Sequence, residues 1–230
     1  MSPRRAAPPP TPPARSEAGA DPPLEHGAIE VVPATPDRWP DVVTILGGNG
    51  DRGCWCQAPR GRAVGYGEAE PGARRSTLRA QIENDDPPPG MLAYVDGRVA
   101  GWCGFGPRPS LPRLIHSRTI PTIDDRAVWS ILCFNVRVGY RRRGVAAALL
   151  DGVIELARRS GAPGLEGYPI DPGGGRVDVN FGYVGVTSMF EKAGFRRVVE
   201  TSAHSDRRPR ILMRLDFSTA PDGAGGQPGR

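Results

Sequence analysis

Residues 136–150, VRVGYRRRGVAAALL, pass from an apolar stretch through three arginines and a glycine into an alanine-rich segment with helical spacing. A turn of that kind between a strand and a helix leaves backbone N–H groups unpaired at the helix start, where they attract an anion. The arginines add positive potential, which counts most beside a multiply charged phosphate. Gly144 would let such a group approach the backbone, and Ala146 keeps the first helical turn narrow. The spacing matches neither G-x-x-x-x-G-K-[ST] nor G-x-G-x-x-G, which argues against a nucleoside triphosphate loop and a dinucleotide site.

Cys54-Trp55-Cys56 is the second candidate. With Cys103, Cys133 or His116, its two thiols could complete a tetrahedral zinc site. C-x-C is tighter than the usual ligand pair, however, and Cys103 and Cys133 fall within apolar strands, where cysteine packs as a small hydrophobe. No bound metal is expected. His26, His116 and His204 share no hydrolase or zinc-protease spacing with other residues, so a hydrolase is unsupported.

The elements that must position these groups can be read from pattern. The 230 residues carry a formal net charge of +5, with Lys192 the only lysine among 30 basic residues. The arginines are scattered along the chain rather than gathered in a stripe, so no nucleic-acid partner is expected. No segment is long and apolar enough for a membrane span, no secretory apolar run precedes the four cysteines, and a reducing cytoplasm is the expected compartment. Residues 1–27 and 218–230 are rich in proline or glycine and poor in core residues. They are expected to be disordered or flexible tails around one domain, 28–217.

Within that domain, strand patterns fall at 28–34, 91–95, 98–105, 127–138, 164–170, 195–200 and 210–217. Helical spacing falls at 39–46, 73–83, 145–160 and 186–193. Asp96-Gly97 makes the second and third strands a hairpin. The helix from Val145 joins the central strand to GLEGYPI, a right-handed βαβ unit and hence a parallel pair. The fold class is α/β: a mixed, mostly antiparallel central sheet with one parallel pair and helices on both faces.

Arg141, Gly144 and Ala146 fit R-x-x-G-x-A, which resembles the acetyl-coenzyme A signature of the GNAT acetyltransferase superfamily. GVTSMFEKAGF (185–195) resembles that family's short last helix and its closing aromatic-Glu-Lys-x-Gly-Phe. The resemblance covers about 28–217, is strongest over 127–200, and looks like a bacterial subgroup marked by CWC. It implies that acetyl-CoA is the cosubstrate, that Val136 and Val138 bond its pantetheine arm through their backbone, and that Arg141, Arg142, Arg143, Gly144, Val145 and Ala146 wrap the pyrophosphate. The implied activity is direct acetyl transfer to the primary amine of a small molecule or peptide, by a monomer or homodimer. The alternative is a catalytically silent acyl-CoA-binding or regulatory module.

Acetyl transfer needs a neutral amine, donors for the carbonyl oxygen and an acid for the departing thiolate. Glu166 and Tyr168 share a strand face. Glu166 is a candidate base acting through water, with an ion pair to one of the arginines as the equal alternative, and Tyr168 a candidate wall of the acceptor pocket. Many relatives carry a tyrosine where Phe190 stands. Tyr183 or Ser188 is the substitute acid, unless the thiolate leaves unassisted. Trp55 is expected to wall the acceptor pocket, and Asp124-Asp125 to be a solvated loop pair or to attract an amine by charge.

Overall fold

The structure, a computed structural model, describes residues 27–61, 70–175 and 182–217. The expected tails lie outside them, Gly27 apart. Strands β1 (Ile29–Pro33), β2 (Gly90–Val95), β3 (Arg98–Pro107), β4 (Trp129–Val136), β5 (Gly164–Gly167), β6 (Arg196–Ser205) and β7 (Arg208–Asp216) form one sheet in the order β1-β2-β3-β4-β5-β7-β6. Every neighbouring pair is antiparallel except β4–β5. The helices are α1 (Trp39–Leu46), α2 (Ala73–Asn84), the single turn α3 (Pro112–Ile115), α4 (Val145–Arg159) and α5 (Thr187–Lys192). This is the mixed sheet expected from the patterns. None of the described helices is long and apolar enough to cross a membrane.

Strand alternation divides the core. Met91, Ala93 and Val95 of β2 join one buried cluster, whereas Leu92, between them, joins another. The first cluster is completed by the apolar stripe of α4: Val145, Leu149, Leu150, Val153, Ile154 and Ala157. Burying side chains of that size contributes about 1.5–3 kcal/mol each. Val42 and Ile45 of α1 and Leu78 and Ile82 of α2 cover the opposite face. Gly161, at φ 70°, ends α4: its N–H reaches the Arg158 carbonyl while that of Ala162 reaches Ala157, closing the last turn with a left-handed residue.

Two local features part the centre of the sheet. Against β3, Gly104 pairs with Cys133 but Phe105 pairs with Ile131, so Leu132 is an extra residue in β4, a bulge that bends the strand. On the other side, β4 and β5 are in register only at Trp129–Leu165 and Ser130–Glu166. β5 then stops at Gly167, because Pro169 has no N–H to carry the ladder on. Beyond Ser130, therefore, β4 turns one edge of its backbone to open space.

Gly167 is tightly covered: a Cβ built there would lie 2.1 Å from Cε1 of Phe190, which is fully buried and meets Phe134 and Phe195 edge-on. Gly167→Ala should cost about 1–3 kcal/mol through overpacking, read as a lower midpoint in urea unfolding.

Candidate active site

The gap between β4 and β5 is continuous with a cleft of about 880 Å³ that reaches the start of α4. Arg137 N–H bonds the Ala100 carbonyl of β3. Because backbone groups alternate along a strand, those of Phe134 and Val136 face the gap. Both line the cleft; Val138 does not. It stands in the turn 138–140, past the end of β4, with 78% of its surface exposed.

At the far end of the cleft lie Arg141, Arg142, Gly144, Val145 and Ala146; Arg143 is exposed outside it. Gly144 adopts φ 81°, a conformation that favours glycine, and a Cβ there would meet only Ile29 at 3.8 Å. Its requirement here is therefore conformational rather than spatial. The first intrahelical bond runs from Ala148 N–H to the Gly144 carbonyl, which leaves the N–H groups of Val145, Ala146 and Ala147 outside the helical ladder. Arg141 Nε donates to the Val136 carbonyl at 3.0 Å and so ties the turn to the strand end. Free amides, two arginines and an open strand edge fit an elongated molecule with an anionic head and an amide-bearing arm.

Trp55 lines the same cleft. It is buried, its Nε1 donates to the Gly50 carbonyl at 3.0 Å, and its ring stacks on Trp39. Cys56 and Cys133, also in the lining, bring their sulfurs to 3.4 Å. The hydrogen bond from Cys133 and the nearby Arg60 guanidinium hold the Cys56 thiol well below its ordinary range, and the same bond pushes Cys133 up. Among the described residues no group of three or more His, Cys, Asp or Glu side chains is arranged to hold a metal ion.

A smaller cavity of about 560 Å³ lies beside the first, and Ala58 and Tyr183 line both. Tyr183, 44% exposed, thus stands at the junction. Tyr168 and Leu132, the bulge residue, line the smaller cavity. Ser188 appears in neither lining.

Glu166 lines neither cavity and is only 1% exposed. Its Oε2 accepts from Arg108 Nη1 at 2.8 Å and from the Tyr168 hydroxyl at 2.9 Å, and its Oε1 accepts from Arg214 Nη2 at 2.6 Å. Arg214 also bonds Asp124, and Tyr168 is 3.1 Å from Ser130. Of the two readings of Glu166, this geometry is the ion pair: two arginines hold both oxygens, which leaves neither turned toward a cavity. Burial and the neighbouring carboxylate push the Tyr168 hydroxyl above its ordinary range, so Tyr168 stays protonated. Asp124 is an exposed loop residue, as a solvated pair would be, and it also accepts from Arg214 at the outer end of the chain of charges. Arg108, invisible as a partner in the sequence, is brought to Glu166 by the turn after β3, with its Nη2 bonded to the Thr122 hydroxyl.

The family model described as the Acetyltransferase (GNAT) family matches residues 55–166. No curated protein is significantly similar to the chain in sequence. A solved structure described as an acetyltransferase aligns with a TM-score of 0.52 at 14% identity, over 82% of this chain and all of its own. A GCN5-related N-acetyltransferase from Kribbella flavida aligns at 0.49 and 18% identity, over 83% and 98%. The PaiA N-acetyltransferase from Thermoplasma acidophilum, in complex with coenzyme A, aligns at 0.47 and 13%, over 83% and 99%.

Two outcomes test the buried charges. Glu166→Gln leaves both guanidiniums short of a counter-charge and should cost about 3 kcal/mol or more, read by urea unfolding. The Arg214 hydrogen bond holds the Asp124 carboxyl below its ordinary range. Its contribution is therefore complete above the unfolded value of about 4 and lost as pH falls further, so stability should drop on acidification below about pH 4 and drop less in Asp124→Asn. The chain has the fold of the GNAT acetyltransferases and matches their family model over residues 55–166.

Proposed function

We propose that the protein is an N-acetyltransferase that passes the acetyl group of acetyl-CoA directly to an amine. The observation that carries this reading is a pair of cavities that share Tyr183 in their lining: one runs along the open edge of β4 to an anion-attracting helix start, and the other lies beside it. One cavity for an acyl donor and an adjoining one for an acceptor is what a ternary-complex transfer requires. Acetyl-CoA supplies a thioester whose thiolate is a tolerable leaving group, with a pKa near ~8.5 for an ordinary thiol.

In this reading the amides of Val145, Ala146 and Ala147, with Arg141 and Arg142, hold the pyrophosphate. The backbone groups of Phe134 and Val136 bond the amide-bearing arm. Trp55 walls the donor cleft near its junction with the acceptor cavity. Tyr183 gives its proton to the thiolate, in place of a tyrosine at the position of Phe190, whose ring is fully buried. Glu166 acts as a positioning residue: through the Tyr168 hydroxyl it fixes one wall of the acceptor cavity.

The purified chain should bind coenzyme A by calorimetry and release thiol from acetyl-CoA when offered amines. Arg141→Ala should weaken coenzyme A binding about tenfold, the worth of one charge-assisted hydrogen bond. Tyr183→Phe should lower kcat about tenfold to a hundredfold while the KM for acetyl-CoA holds, the lower end of what proton transfer supplies. No binding of coenzyme A overturns the proposal. Binding without turnover of any amine replaces it by a silent acyl-CoA-binding module.

A further inference from the structure

The smaller cavity has a charge character that the acetyl-transfer chemistry does not require. Its described lining contains Arg113, His204 and Arg210 and no carboxylate. The charges next to it already balance: buried Glu166 and exposed Asp124 stand against Arg108 and Arg214. Arg210 lies outside that balance. Its Nε donates to the Tyr168 carbonyl at 2.9 Å and its guanidinium lies 5.9 Å from the centre of the Tyr168 ring. Those two contacts fix the plane of the side chain. Among the described residues, neither Nη group has a hydrogen-bond partner and no carboxylate is within ion-pair distance.

Burial lowers the pKa of Arg210, only partly offset by the Tyr183 and Tyr168 hydroxyls. A partly desolvated cation held in place without a counter-ion is costly unless a ligand supplies the charge. The two outer nitrogens of a fixed guanidinium match the two oxygens of a carboxylate. Leu114, Ile120 and Leu132 give the lining an apolar part beside the hydroxyls of Ser117, Thr119 and Ser202, and the volume is that of a small-molecule site.

We infer that this cavity takes an acceptor amine that also carries a carboxylate, with Arg210 binding the carboxylate and the apolar wall formed by Leu114, Ile120 and Leu132 taking its side chain. The inference rests on the reading of the protein as an acetyltransferase for the amine, but the anion site itself does not. Free amino acids and their close derivatives are the class that fits; simple alkylamines and polyamines, which offer the cavity only positive charge, are disfavoured beside Arg210.

The test is equilibrium binding of product analogues to the full chain by calorimetry, with a panel of N-acetyl amino acids and their primary amides as probes. The acids should bind about tenfold or more tighter than the matching amides, as a charge-assisted pair implies. Arg210→Gln should abolish that difference, and Arg210→Lys should keep part of it, both variants melting cooperatively. Equal binding of acid and amide, undetectable binding of both, or a preference that survives in Arg210→Gln overturns the inference. Coenzyme A binding is measured separately on the same samples. Loss of the acid preference with coenzyme A still bound overturns the anion site alone, whereas an acid preference without coenzyme A binding overturns the donor assignment alone.

Discussion

The organisation of the molecule depends on the separation of β4 from β5. Two strands that stayed paired along their length would satisfy each other's backbone groups and leave nothing to bind between them. Here the ladder holds for two residue pairs and then fails, because the bulge at Leu132 bends one strand and Pro169 ends the other. The edge of β4 is thereby exposed inside the sheet rather than at its margin. Such an edge elsewhere would be a liability, open to pairing with another chain. At the bottom of a cleft, flanked by α4 and the turn before it, it is a selective row of donors and acceptors.

Keeping the strands apart requires rigidity on both sides. Beside the larger cleft, the stripe of α4 anchors the helix so that its first amides stay aimed into the cleft, and Arg141 ties the turn back to Val136. Beside the smaller cavity, Glu166 gathers Arg108, Tyr168 and Arg214 into one buried knot. A knot of this kind contributes little net stability, since desolvation offsets most of the attraction. Its value is geometric. It joins the turn after β3, β5 and β7 through a single carboxylate, and it fixes Tyr168 with its hydroxyl inward and its carbonyl available to Arg210. Glu166, a candidate base or ion-pair partner in the sequence, has both carboxylate oxygens bonded by arginines.

The two cavities differ in kind for the same reason. The larger presents backbone amides and an open strand edge, groups that recognise a molecule by its repeating amides and its phosphates. The smaller presents side chains, apolar and hydroxyl-bearing, with Arg210 facing no carboxylate among the described residues. Among the described residues, Tyr183 and Ala58 line both.

Much of this was legible in the sequence. The alternation of β2, the 3.6-residue stripe of α4 and the Arg-x-x-Gly-x-Ala turn are local patterns, and local patterns fix elements, their order, the one parallel pair and the helix start that attracts anions. That Val138 stands beyond the end of β4 was not legible, because strand parity reads the same whether or not the chain has already left the strand. Nor were the partners of Glu166: Arg108 is 58 positions away and Arg214 is 48, and among so many arginines no spacing singles them out. The isolation of Arg210 is of the same type, since the absence of a neighbouring carboxylate exists only after folding. The sequence by itself determined the scaffold and the glycine turn that opens α4, which are built from contiguous residues and backbone. Only the tertiary structure decided which charges cancel and which is left facing a cavity, because that depends on distances between strands that the chain brings together from far apart.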